Sequence, residues 1–260
     1  MVFAKYLGVF GLAGLSLVAP AQADQLADIR SAGVIRVATD LGVPPYGMMN
    51  DKLEPIGSDV DTAKLLAESL GVKLELVSVT GANRIPYLVT GKADIVISSF
   101  SVNEERKKVI DFSAPYGKLQ NVIGAPVSME IKGFDDLVGK RVVVTRGTTA
   151  DSALTEGAPK AQIVRFDDDA TLVTAVTSGQ ADIAANTPTV IKTINEKRSG
   201  EKLEVKFVMR DLPYAIGVRK GEPELLAYLD GWVGENLANG KLNEIYKSWQ
   251  GTDLPADMRP

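Results

Sequence analysis

The sequence predicts an α/β fold, and three observations carry that reading. Strand-like and helix-like stretches alternate along the chain, the pattern of sheets covered by helices. An internal echo links Thr90-Gly-Lys-Ala-Asp-Ile95 to Ser178-Gly-Gln-Ala-Asp-Ile183, each a helix end, a glycine stop and a strand start. An apolar strand over 95–97 runs into Ser98, Ser99 and Ser101, and Arg106 follows on what reads as the first turn of a helix. Ligands of open α/β sheets sit beyond the carboxyl ends of the strands. Hydroxyls and a guanidinium at such an end form a receptor for a planar carboxylate, because the arginine fork matches both oxygens. The plainer reading of Arg106 is the start of a solvated run with Lys107 and Lys108. Two similar units suggest two lobes around a cleft, but a six-residue echo is equally compatible with chance.

The chain opens with Lys5, an apolar run over 7–18 and Ala21-Gln-Ala23. These are the charged, apolar and cleavage regions of a secretory signal peptide, so residues 1–23 are expected to be removed and the mature chain to begin at Asp24 in the periplasm. The apolar run is about 12 residues, short of the ~18 a membrane span needs. No Cys follows it, which excludes lipoprotein attachment. Residues 34–39 read as a strand. Residues 59–70 read as a helix with Val60, Ala63, Leu66, Ala67 and Leu70 on one face, closed by Gly71. Residues 72–79 alternate as a half-buried strand, 85–90 form a short helix, and 93–97 the strand that ends in serines. Around the second copy of the echo, 141–145 and 163–166 are strands and 169–177 a helix. Two helices close the chain near 223–237 and 242–249; they carry Trp232 and Trp249, read as core.

Composition narrows the chemistry. The chain has 260 residues, 45% of them hydrophobic, enough for two compact lobes. It has no His and no Cys, which removes Ser-His-Asp triads, Cys nucleophiles, the common zinc sites and disulfides. No metal and no cofactor are expected, and stability must come from core packing. The formal net charge of −4 becomes −5 once Lys5 is removed, which argues against nucleic acid as a partner. No phosphate-binding glycine loop ending in Lys is present.

Seven motifs in order resemble one family. They are Pro44-Pro-Tyr46, Gly57-Ser-Asp-Val-Asp61, Asn83-Arg-Ile-Pro86, Glu105-Arg106, Asp111-Phe-Ser113, Gly147-Thr-Thr149 and Gly217-Val-Arg-Lys-Gly221. Over almost all of the mature chain the sequence resembles the periplasmic amino-acid-binding proteins, the type 3 extracellular solute-binding proteins of ABC importers. The resemblance decides the question of lobes. It implies a two-lobe, Venus-flytrap α/β fold, each lobe a sheet flanked by helices, joined by a two-strand hinge. Lobe one is expected over 24–120 and 216–260 and lobe two over 121–215, with crossings near 119–125 and 212–218. It also implies a monomer that takes an amino acid into the cleft and meets an ABC-transporter membrane permease.

The resemblance assigns the pocket residue by residue. Arg106 matches the arginine that grips the ligand α-carboxylate, with Ser99 and Ser101 beside it. Thr148 and Thr149, after Gly147, match the lobe-two loop that adds an N–H and a hydroxyl to that carboxylate; a helix cap is the plainer and compatible reading. Tyr46 and Val43 are expected as apolar wall, although Tyr46 equally suits the core. Asp40 and Arg84 match positions facing the ligand side chain, and the Asn-Arg-Ile-Pro form of the loop looks like the acidic-amino-acid branch. Arg84 could also point to water, and Asp40 could neutralise it or bind a cation.

One departure stands out. Five residues on from Asp182 the family usually has an Asp that pairs with the ligand ammonium, whereas this chain has Thr187, preceded by Asn186. Asp168 or another acid substitutes, or Asn186 and Thr187 bind the ammonium neutrally, or the ligand is not an α-amino acid. The rival from another class is an enzyme like the periplasmic cyclohexadienyl dehydratases, which share the scaffold and use a lobe-two general acid. Residues 184–188 carry no acid, which argues for binding rather than catalysis. A ligand sensor for a membrane receptor would use the same cleft.

Overall fold

The computed structural model describes residues 24–259. The expected signal peptide lies outside the described residues. The first lobe begins with helix α1 (Gln25–Ala32), whose Asp24 cap accepts the Ala27 N–H at 3.1 Å and whose end is turned by Gly33. Strand β1 (Val34–Thr39) follows, with Ile35 and Val37 fully buried. A small ribbon of β2 (Met48–Met49) and β3 (Pro55–Ile56) leads into α2 (Ser58–Leu70). The apolar face read from the sequence is the one α2 buries, apart from half-buried Leu70, and Gly71 ends it in the left-handed conformation that glycine tolerates best. Strand β4 (Lys73–Ser78), helix α3 (Arg84–Val89), strand β5 (Ile95–Val96), the single turn α4 (Glu104–Lys107) and strand β6 (Ile110–Phe112) complete this half.

Strand β7 (Gly117–Pro126) then carries the chain to a second sheet. There β8 (Arg141–Thr145), α5 (Thr149–Gly157), β9 (Gln162–Phe166), α6 (Asp169–Thr177), β10 (Ile183–Asn186) and α7 (Pro188–Lys197) follow in turn. The long β11 (Leu203–Tyr214) runs back antiparallel to β7, from Leu203 opposite Pro126 to Tyr214 opposite Gly117. Strand β12 (Gly217–Arg219) re-enters the first sheet, and α8 (Pro223–Ala238) and α9 (Lys241–Gln250) pack on that lobe.

The first sheet has the order β4-β1-β5-β12-β6 and the second β11-β7-β10-β8-β9. In each, three parallel strands meet antiparallel ones where the chain crosses over. The two-lobe α/β architecture expected from the sequence is the observed one. Trp232 lies in the first core and donates to Ser69 at 2.9 Å; Trp249 is half-buried and ties α9 to α2 through Asp61 at 2.8 Å. Among the described residues no helix is long and apolar enough to cross a membrane.

Candidate ligand-binding site

The carboxyl ends of the parallel strands of both sheets converge on one cavity of about 50 Å³. From the first sheet come Asp40 after β1, Arg84 after β4, and Ser98, Ser99, Ser101 and Arg106 after β5. From the second come Thr148 and Thr149 after β8, Asp169 after β9, and Asn186 and Thr187 at the end of β10. Nine of the ten site residues read from the sequence line this space.

Arg106 is turned inward by its own helix start, where the Asn103 side chain accepts the Arg106 N–H at 2.8 Å. Its guanidinium donates to the Ser101 carbonyl at 2.7 Å and, across the cleft, to the Gly147 carbonyl at 3.2 Å. Arg84 donates through Nε to the Gly81 carbonyl and through Nη1 to the Ser98 carbonyl, both at 3.1 Å. Both arginines are buried, so Arg84 does not point to water. Among the described residues, neither lies within 4.0 Å of a carboxylate. Burial lowers both pKa values; Arg84's charge lowers that of Arg106 further, while Asp40, Asp169 and Asp59 push that of Arg84 back up.

Asp40 accepts the Gly42 N–H at 3.0 Å, and its own N–H reaches the Ser98 hydroxyl at 3.2 Å. Burial raises its pKa to about 6, against the relief given by the Gly42 N–H and Arg84. Asp59, in the first turn of α2, is buried beneath and raised by the same cause to about 7.

In the second lobe Thr148 is the N-cap of α5, its hydroxyl accepting from Asp151 and donating to the Thr145 carbonyl at 2.8 Å. Thr149 begins that helix and reaches the Ser101 hydroxyl at 3.4 Å, a second tie across the cleft. Gly147 has φ 72, and a Cβ there would sit 2.8 Å from the Ala82 Cα. A Cβ on Gly81 would come within 3.2 Å of the Arg146 carbonyl. The lobes therefore meet backbone to backbone at the mouth of the cavity.

Two placements revise the expectations. Tyr46 does not line the cavity. It is buried in the core of the first lobe, edge-to-face with Tyr214 at 6.3 Å, which packs likewise on Tyr116 at 4.9 Å. Only Val43 of the expected apolar wall reaches the cavity, joined by Leu119 of β7. Nor does Asp168 enter: its carboxylate caps α6 by accepting the Thr171 N–H at 2.7 Å. The acid of the second lobe that does enter is Asp169, which the sequence reading missed. Its Oδ1 accepts from Asn186 Nδ2 at 2.6 Å and from the Thr145 hydroxyl, and burial raises its pKa. Thr187 caps α7, so the neighbours of the position where an acid was looked for hold Asp169 in place.

Asn121 on β7 was also missed. It is buried in the cavity wall, and its side-chain oxygen has no hydrogen-bond partner. Phe100, between two of the named serines, was read as neither site nor core; its ring lies under both guanidinia. The arrangement offers two guanidinia that, among the described residues, form no ion pair within the protein, a carboxylate on the opposite wall, and hydroxyls between them.

A family model matches residues 35–252: bacterial extracellular solute-binding proteins, family 3. The chain belongs to that family. The resemblance read from the seven motifs is thereby borne out, and family membership implies a periplasmic or extracellular location. Among family relatives, the ABC transporter glutamine-binding protein GlnH of Bacillus subtilis (strain 168) is 29% identical over 239 residues, 90% of this chain and 87% of that protein. A solved P235GK mutant of ArgBP from T. maritima superposes with a TM-score of 0.81 at 31% identity, covering 88% of this chain and 100% of that one. The ancestral amino-acid-binding protein AncCDT-1, described as a precursor of cyclohexadienyl dehydratase, matches at TM-score 0.80 and 34% identity, over 87% and 99% of the two chains.

Proposed function

We propose that this protein captures a small polar amino acid between its lobes, acidic ones first, and hands it to the membrane permease of an ABC importer. Arg106 carries the reading. It is a buried guanidinium with no carboxylate partner among the described residues, placed where both lobes reach it. A buried cation without an anion is costly, and a ligand carboxylate removes that cost with two parallel hydrogen bonds. Ser99, Ser101, Thr148 and Thr149 surround the same oxygens. Asp169, steadied by Asn186, accepts the α-ammonium in place of an acid at Thr187. Arg84 reads the side chain and, beside Asp40, favours a carboxylate or amide there. In this reading lobe one comprises 24–120 and 216–260, lobe two comprises 121–215, the protein acts as a monomer, and cleavage after Ala23 releases the mature chain.

Calorimetric titration against a panel of amino acids and small carboxylates tests the reading, with glutamate and aspartate expected to bind and apolar amino acids to fail. Arg106→Lys in the same assay should lose at least tenfold, because a point charge cannot replace the bidentate fork. Binding of the Lys variant at parental affinity would sink the carboxylate role. N-terminal sequencing of the exported protein checks the start at Asp24.

A dehydratase-like enzyme is the second reading, and Asp169 is the observation in its favour, since it puts a buried acid against a strand end that itself has none. Its Oδ1 already accepts two hydrogen bonds, which suits an acceptor for an ammonium better than a proton donor. Incubation with a cyclohexadienyl acid, followed by the ultraviolet spectrum of an aromatic product, separates the two; product formation would favour the enzyme.

A further inference from the structure

Two buried, like-charged side chains in this cavity share one neutral partner. The guanidinium carbons of Arg84 and Arg106 lie 4.9 and 4.5 Å from the ring centroid of Phe100. Their hydrogen bonds within the protein all go to neutral backbone carbonyls, those of Gly81, Ser98, Ser101 and Gly147. A carboxylate in place of the ring would hold the arginines more tightly, but it would cancel the charge that an anionic ligand needs. The π face supplies negative potential without a formal charge.

The ring is fixed in that position. Phe100 is 1% exposed, and Phe112 packs on it with centroids 5.2 Å apart. Gly217 on β12 makes the room: a Cβ there would lie 2.8 Å from the Phe100 ring. A residue that merely filled this space could be aliphatic, as its core neighbours Ala38, Leu88, Val96 and Ile110 are.

We infer that Phe100 is a positioning residue for anion recognition, its ring holding Arg84 and Arg106 in fixed planes with their remaining N–H groups free for ligand. The inference rests on the proposed capture of an amino-acid carboxylate and deepens it, because one ring then couples the two ends of the ligand. A dicarboxylate uses both guanidinia as charges and so depends on the ring more than a mono-anionic ligand does.

Replacing Phe100 with mono-, di- and trifluorinated phenylalanine drains the ring quadrupole while keeping its shape nearly constant. Calorimetry with L-glutamate should show affinity falling stepwise with each fluorine, on the order of tenfold across the series. L-glutamine should fall less, and the melting temperature of the ligand-free protein should stay within a few degrees. Phe100→Leu should lose at least as much glutamate affinity as the trifluorinated ring. An affinity that is flat across the fluorinated series overturns the inference, since a packing role would leave it so. Arg106→Lys, run alongside, separates the two levels. If it binds like the parent, the carboxylate reading fails and takes this inference with it; if it fails while the series is flat, only the role of Phe100 falls. Absence of heat from the parent with L-glutamate, L-glutamine and L-arginine overturns both.

Discussion

Replacing Arg84 by alanine tests how the site reads a ligand side chain. The residue is buried, bonded to the Gly81 and Ser98 carbonyls, and stacked on Phe100. Removing one partner of a buried, hydrogen-bonded charge pair costs about 2–5 kcal/mol. Asp40 and Asp169 already offset part of the Arg84 charge, which puts the expected loss for glutamate at the lower end, roughly 2–3 kcal/mol or about 30- to 150-fold. A side-chain amide carries no net charge and offers the guanidinium one accepting oxygen where a carboxylate offers two, so glutamine should lose about half as much, about 1–1.5 kcal/mol, roughly 5- to 12-fold. The specificity ratio, rather than either affinity alone, is therefore the quantity to measure. Calorimetric titration of parent and Arg84→Ala with glutamate and glutamine at pH 7.5 gives it, and a urea melt of each shows that the fold persists. Equal losses for the two ligands would refute the reasoning. So would tight binding of arginine by the parent, because it would mean that Asp40 and Asp169 read the side chain and Arg84 does not.

Asp169→Asn should weaken α-amino acids by roughly 10- to 100-fold, the worth of a hydrogen bond to a charged group, and should weaken dicarboxylates lacking an ammonium far less; unchanged amino-acid affinity would remove Asp169 from the ammonium site. Stability of the ligand-free protein should fall as pH rises from 5 to 7.5. Burial raises Asp40 to about 6 and Asp59 to about 7, so in this window the folded chain binds more protons than the unfolded one. Asp40 alone accounts for roughly 3 kcal/mol lost between its ordinary value of 3.8 and its folded value of about 6, of which about 1.4 kcal/mol falls above pH 5. Thermal melts across the window check this, and a melting temperature that rises with pH would contradict it. Small-angle scattering should show a smaller radius of gyration with saturating ligand than without, because Arg106 and Thr148 can meet one ligand only when the lobes are together; an unchanged profile would favour a rigid pocket.

Periodicity made the strands and longer helices of the first half legible, because an amphipathic face such as that of α2 must be buried somewhere. Arg106 was legible for a related reason: hydroxyls at the end of an apolar strand have few structural uses. Asp169 was hidden among three successive aspartates. Asp167 is exposed and pairs with Arg146, Asp168 caps α6, and Asp169 alone turns into the cavity. Composition cannot choose among them, since the choice is made by where the helix begins after β9. Asn121 sits within the crossing strand β7 together with Lys118 and Gln120, and no pattern in the sequence sets it apart from those two. Tyr46 was misplaced because its turn folds under the first lobe, against Tyr214, rather than up toward the ligand.

The meeting of Gly81 and Gly147 with the opposite lobe bears on time rather than on recognition. Neither residue contributes a side chain to the cavity, yet each stands where the jaws touch, and a single added methyl at Gly81 would hold them a few tenths of an ångström ajar. If the lobes close on an amino acid as proposed, it leaves only when they open, and the fit at this seam then governs residence more than selectivity. Under the proposed reading, such a chain can alter how long it holds an amino acid by changing a backbone contact at the seam rather than a side chain in the cavity.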